Sequence, residues 1–208
     1  MSTLEITKNV HLLESAKGSF VYLVLGEEPV LIDTGMPGRG ERLLADLSKV
    51  GISPKDIAHI LLTHHDVDHI GNAKMLKEVT GATLWAPEKD VPYIHGEQRR
   101  EGIKRIIATM FRPDPPAVDA IYKPGQKIGS LEMIETPGHT PGHVSFLYKD
   151  VLFPGDLVMS RKGKILPSPR FLAWDNHQLH QSIEKVKRMT FDWVCPAHGH
   201  PVRRTPLF

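Results

Sequence analysis

Thr63-His64-His65-Asp66-Val67-Asp68-His69-Ile70-Gly71 is the stretch on which the reading of this chain turns. The apolar run Ile60-Leu61-Leu62 feeds straight into it, and a helical pattern over Asn72–Thr80 follows. The segment is therefore predicted to be a loop between a strand and a helix. His64, His65, Asp66, Asp68 and His69 all carry groups able to hold a cation. Imidazole mixed with carboxylate suits zinc, iron or manganese. Gly71 is expected to serve the tight turn into the helix. Taken alone, the stretch could also be a solvated loop that happens to be rich in His and Asp.

Three further segments repeat the arrangement. Thr136-Pro-Gly-His139-Thr-Pro-Gly-His143 follows a predicted strand over Leu131–Glu135, and its two Pro-Gly pairs present histidines from rigid turns. Phe153-Pro-Gly-Asp156 places a carboxylate at a strand end, and Cys195-Pro-Ala-His198-Gly-His200 again reads strand, turn, histidine. Each is weak by itself. Together they deliver His or Asp to a loop four times over, which is how α/β scaffolds assemble sites from several strand ends.

Around these motifs, short β-like runs and helical stretches alternate. Leu4–Leu13, Ser19–Leu25, Pro29–Ile32, His59–Thr63 and Thr83–Ala86 read as strands. Gly38–Val50, Gly96–Phe111 and Asn176–Met189 read as helices, and Ser53-Pro54-Lys55-Asp56 as a capped single turn. From Ile121 to Phe153 short strands alternate with glycine turns, and Trp193–Cys195 is the last strand. The expectation is one α/β domain over residues 1–208 with mixed sheets.

The bulk properties exclude several classes. With 208 residues, 40% hydrophobic and 24% charged, the chain can fill one core and is not of disordered composition. A formal charge of +2 with no single-sign block gives no reason to expect nucleic acid as a partner. Arg99, Arg100, Lys104 and Arg105 form a basic patch, read as a solvated helix face. The lone Cys195 cannot form an internal disulfide, the N-terminus Met1-Ser-Thr-Leu-Glu-Ile-Thr-Lys has no leader pattern, and no apolar run approaches the ~20 residues of a membrane span. A cytoplasmic protein without membrane contact is expected.

The motifs in order, Leu31-Ile-Asp-Thr-Gly, Thr63-His-His-Asp-Val-Asp-His, Thr136-Pro-Gly-His-Thr-Pro-Gly-His, Pro154-Gly-Asp and Pro196-Ala-His-Gly, resemble the metallo-β-lactamase superfamily from about Val10 to Pro201. The resemblance implies a four-layer αββα sandwich, two mixed sheets flanked by helices. It implies two divalent metal ions, zinc first, with manganese or iron as alternatives. His64, Asp66 and His139 would bind the first ion; Asp68, His69 and His198 the second; Asp156 would bridge both, and Asp33 would support the ligands. His65, His143 and His200 match no ligand of the family. Asp66 stands where the family's His-x-His-x-Asp-His motif has its second histidine. The added negative charge should hold the metal while lowering its Lewis acidity, and should favour harder ions.

The activity implied is that of the short, general hydrolase branch: metal-activated hydroxide attacking an ester, thioester or lactone, with Asp68 orienting the nucleophile. No Gly-x-Ser-x-Gly points to a serine nucleophile instead. The segment 91–118 is expected to form a lid whose Ile, Met and Phe face mostly the core, and the loop Leu157–Asp175 is expected to touch a small-molecule substrate. The rival from another reaction class is a persulfide dioxygenase with a single iron on the same fold.

Overall fold

The computed structural model describes residues 3–16 and 18–204, which form two compact units, one through Ile121 and one from Tyr122. The reading of the N-terminus rests in part on Met1 and Ser2, which lie outside the described residues.

The first unit is built on a seven-stranded sheet in sequence order: β1 (Thr3–Thr7), β2 (Val10–Leu13), β3 (Val21–Val24), β4 (Val30–Ile32), β5 (His59–Leu61), β6 (Thr83–Ala86) and β7 (Ala120–Ile121). Strands β1 to β4 pair antiparallel, and β4 to β7 parallel. Helix α1 (Gly40–Val50) makes the crossover between β4 and β5; α2 (Val67–Ile70) and α3 (Ala73–Thr80) make the next; α4 (Val91–Ile94) and α5 (Gly102–Phe111) precede β7. Leu43 and Leu47 of α1 and Leu76 of α3 are fully buried with Leu31, Ile60 and Leu84 of the parallel strands. This apolar burial is the main favourable term holding helices to sheet. Between α1 and β5, Ser53 accepts from the Lys55 N–H and Asp56 from the Ser53 N–H, with Pro54 at the first helical position. That capping box matches the single turn expected there.

The second unit carries a six-stranded sheet ordered β15-β14-β11-β10-β9-β8 and a separate β12–β13 hairpin. The strands are β8 (Lys127–Ile128), β9 (Leu131–Glu135), β10 (Val144–Tyr148), β11 (Val151–Phe153), β12 (Val158–Arg161), β13 (Lys164–Pro167), β14 (Trp193–Val194) and β15 (Val202–Arg203). Helix α6 (Asn176–Lys187) starts at Asp175, whose carboxylate accepts from the N–H groups of His177 and Gln178. It buries Leu179, Ile183 and Val186 with Ile134, Leu152 and Val194.

Four expectations need correction. The strand expected over Leu4–Leu13 is the hairpin β1–β2, because Asn9 takes φ 74° and turns the chain. The helix expected from Gly96 begins only at Gly102, with Gly96 at φ 76° terminating the short α4 before it. The β12–β13 hairpin lies within a stretch expected to be loop; Lys162 and Gly163, both at positive φ, make the two-residue turn that suits it. The apolar stripe of α5 does not face the core: Ile103, Ile106, Met110 and Phe111 are 42–73% exposed.

Among the described residues no helix is long and apolar enough to cross a membrane.

Candidate metal centre

In the first unit the chemistry-bearing residues sit at the carboxyl ends of consecutive parallel strands: Asp33 after β4, Thr63 to His69 after β5, Asp90 after β6. Ligands of open α/β sheets gather at such ends. Asp33 is 2% exposed and holds φ 60°, a conformation sparsely populated outside glycine and retained where the surroundings over-determine it. Its Oδ1 accepts the Thr63 N–H at 2.8 Å; its Oδ2 accepts the Thr63 hydroxyl and His69 Nδ1–H, each at 2.8 Å. Since the Thr63 hydroxyl donates to Asp33, its oxygen accepts from His64 Nδ1–H at 2.9 Å.

One buried carboxylate and one hydroxyl thus fix the tautomers of two buried imidazoles and leave both Nε2 atoms unprotonated, that of His69 with Ser19 Oγ 3.4 Å away. This is the support that metal-binding histidines require. His64 Nε2 stands 3.4 Å from Asp66 Oδ2, and His69 Nε2 3.8 Å from Asp68 Oδ2. The two rings lie 3.9 Å apart, centre to centre.

Gly71 closes this loop, though not for the reason expected. Its φ is −58°, open to any residue. What it needs is space, because a Cβ there would lie 2.4 Å from the Gly35 carbonyl oxygen and the Pro37 nitrogen. Asn72 locks the same approach by accepting from the Arg39 and Gly40 N–H groups and donating to the carbonyls of Thr34 and Met36.

In the second unit β9 and β11 both pair antiparallel with β10, and β14 runs parallel to β11. The three strands that precede His139, Asp156 and His198 therefore point the same way. Asp156 Oδ2 lies 3.4 Å from His139 Nε2 and 3.2 Å from His198 Nε2, a carboxylate oxygen shared by two imidazoles. His139 Nδ1 is engaged by Ser168 Oγ at 3.2 Å. His143 is spoken for: its Nε2 accepts the Asp156 N–H at 3.0 Å, so Nδ1 carries the proton and reaches the Thr136 carbonyl at 3.0 Å. It positions the Asp156 loop. Gly138, at φ 132°, admits the close pass of α6, since a Cβ there would lie 2.1 Å from the Leu179 nitrogen.

The residues present fit a divalent cation. Two ligands on a tetrahedral zinc, with arms of about 2.0–2.1 Å, stand roughly 3.3 Å apart. The imidazole-to-carboxylate distances of 3.4, 3.4 and 3.2 Å match that edge, and the Asp68–His69 distance of 3.8 Å is somewhat wider.

His65, rich in apparent promise, is held mainly by Asp90, while its Nε2 lies 3.6 Å from Asp66 Oδ1. It is 3% exposed, stacks on Tyr93 at 4.3 Å, and both its backbone N–H and Nδ1 reach Asp90 Oδ2, at 3.0 and 2.9 Å. Sequence reasoning missed Thr63, Asp90 and Ser168 as supports. The hydroxyl directly before His64 was a visible signal; Asp90 and Ser168 carried none. It also misread Lys104. Arg99 and Arg105 are exposed, but Lys104 turns inward and its Nζ pairs with Asp66 Oδ2 at 2.7 Å, while Arg100 donates to the His65 carbonyl. Cys195 is 1% exposed, and burial pushes its thiol well above the ordinary range, so it offers no nucleophile.

Comparisons with known proteins agree with this geometry. The family model described as the metallo-β-lactamase superfamily matches residues 16–198. A probable metallo-hydrolase of Methanocaldococcus jannaschii is 29% identical over 188 residues, covering 86% of each chain. A hydroxyacylglutathione hydrolase of Rhodospirillum rubrum is 30% identical over 85% of this chain, which spans 60% of that protein. Among solved structures, a subclass B3 metallo-β-lactamase of Bradyrhizobium japonicum superposes with a TM-score of 0.74 at 26% identity, covering 95% of this chain and 78% of the other. The chain belongs to the metallo-β-lactamase superfamily, has its α/β fold, and is a metal-binding hydrolase.

Proposed function

We propose that this metallo-hydrolase cleaves an ester, thioester or lactone in a small-molecule substrate with two divalent ions, zinc first. His64, Asp66 and His139 would serve one ion, Asp68, His69 and His198 the other, and Asp156 would be common to both. The observation that supports the two-ion reading is Asp156: one of its oxygens stands 3.4 Å from His139 Nε2, of the first ligand set, and 3.2 Å from His198 Nε2, of the second. When bound, such ions lower the pKa of water toward neutrality and polarise a carbonyl.

The protein's own residues do the rest. Asp33 and Thr63 keep His64 and His69 in the coordinating tautomer, Ser168 turns His139, and His143 holds Asp156 by its backbone. Asp68, its side chain 23% exposed, is more open than the other two carboxylates of the set, at 12% and 8%. It is the one best able to orient a water and take up its proton.

Residues 91–118 act as the lid in this reading. The exposed Ile106, Met110 and Phe111 of α5 supply apolar surface suited to an acyl group. The thioester option also draws support from the Rhodospirillum relative, whose name denotes hydrolysis of a glutathione thioester. A panel of aryl esters, thioesters, lactones and phosphodiesters, assayed after chelation and after restoring zinc, manganese or iron, tests the proposal. Metal-restored turnover of a carboxylic ester, thioester or lactone is expected. Turnover confined to phosphodiesters, or none on any substrate, would overturn it.

A further inference from the structure

The departure at Asp66 comes with a partner. Lys104, from α5, brings its ammonium to 2.7 Å from Asp66 Oδ2, the same oxygen that faces His64 Nε2 at 3.4 Å. Both side chains are largely withdrawn from solvent, at 13% and 12% exposure, so the pair is screened far less than a surface ion pair. A carboxylate joined to an ammonium carries zero net charge, as does the neutral imidazole that the family motif has at this position. Arg100 adds a second, largely buried cation on the same side, tied to the His65 carbonyl. His65, engaged by the carboxylate of Asp90 through Nδ1, faces the other oxygen of Asp66, Oδ1, with its Nε2 at 3.6 Å, so Oδ2 is the oxygen that Lys104 and His64 share.

We propose that Lys104 is a resident counter-cation for Asp66, competing with metal for Oδ2 and setting the affinity of the metal position that His64 and Asp66 serve. The inference rests on the two-ion reading above. A divalent ion on Oδ2, with an arm of about 2 Å, would stand within a few ångströms of an ammonium hydrogen-bonded to the same atom. The two positive charges repel, so the ion binds only as the ammonium withdraws. Because Lys104 belongs to α5, none of whose residues is fully buried, its withdrawal also loosens the hold of the lid helix on the ligand loop. Metal loading and lid mobility are thereby coupled.

The test is metal titration of the full chain by competition with a chelator, using zinc and then manganese, on the wild type, Lys104→Met and Lys104→Gln. Thermal unfolding in chelator checks folding. The weaker of two binding steps should tighten about tenfold or more in both variants, with the tighter step within about threefold. Hydrogen exchange in α5 should quicken on metal loading in the wild type and be insensitive to metal in the variants. An unchanged or weakened step in the variants, with two ions still bound, would overturn the role of Lys104 alone. Failure of wild type and variants alike to take up a second ion would overturn the two-ion reading, and the role of Lys104 with it. If both variants fail to fold without metal, Lys104 is a structural strut and the proposal is wrong.

Discussion

Asp33→Asn separates the charge of the supporting carboxylate from its shape. The amide is isosteric, and asparagine tolerates the positive φ at this position, so backbone strain is unchanged. In the wild type the carboxylate accepts three hydrogen bonds at 2.8 Å, two of them on Oδ2. With the amide oxygen kept toward the Thr63 N–H, the NH2 group must face the Thr63 hydroxyl and His69 Nδ1. His69 can then accept only by moving its proton to Nε2, the nitrogen that coordination needs. Hydrogen bonds to a charged partner are worth about 1.5–3 kcal/mol each, and of the three only the Thr63 N–H bond survives, so metal-free stability should fall by about 3–6 kcal/mol. Loss of such a support typically costs about 10–100-fold in metal affinity. Thermal unfolding in chelator reads the first number, and chelator-competition titration with zinc reads the second. Zinc affinity within threefold of wild type would refute the argument that Asp33 fixes the His69 tautomer.

Other outcomes follow from packing and charge. Gly71→Ala places a Cβ against backbone of the Gly35–Pro37 loop, which cannot yield as a side chain tip would. About 3 kcal/mol of destabilisation is expected, a melting temperature lower by roughly 6–12 °C. Asp46 is buried at the inner face of α1; burial alone would raise its pKa, but Lys49 and the Ser15 N–H hold it below 3.8 in the folded state. A depressed folded pKa stabilises above the unfolded value and is lost as pH falls through the folded one. Asp46→Asn should thus cost about 1–3 kcal/mol at pH 7, and its gap from wild type should shrink below about pH 4. Urea unfolding at pH 7 and pH 3 checks this; a gap that widens in acid would contradict it.

Much of this molecule could be read from its sequence because ligands and fold share one grammar. Buried strands such as Ile60–Leu62 and Val151–Phe153 announce themselves by apolar runs, and the His and Asp that follow fall at their carboxyl ends. All seven proposed ligands lie in those short segments, and in each unit the side chains draw together around carboxylates. What stayed hidden depends on contacts far apart along the chain. Ser168 meets His139 only because a hairpin with a two-residue turn, Lys162-Gly163, folds back, and no hydrophobic alternation marks that partly exposed hairpin. Lys104 sits in a basic run whose pattern is that of a solvated face, and its inward turn is legible only once Asp66 is seen beside it. Gly71 was rightly singled out for the wrong reason: sequence suggests freedom of φ, whereas the fold requires an absent Cβ.

The central claim is that this chain is a hydrolase working with two divalent ions held on Asp156 and its neighbours. Counting metal equivalents bound per chain, by elemental analysis after reconstitution and removal of excess ion, tests it most directly. Two equivalents of zinc are expected in the wild type and fewer than two in Asp156→Asn. A wild type that retains a single iron, or two ions untouched by loss of the Asp156 carboxylate, would contradict it.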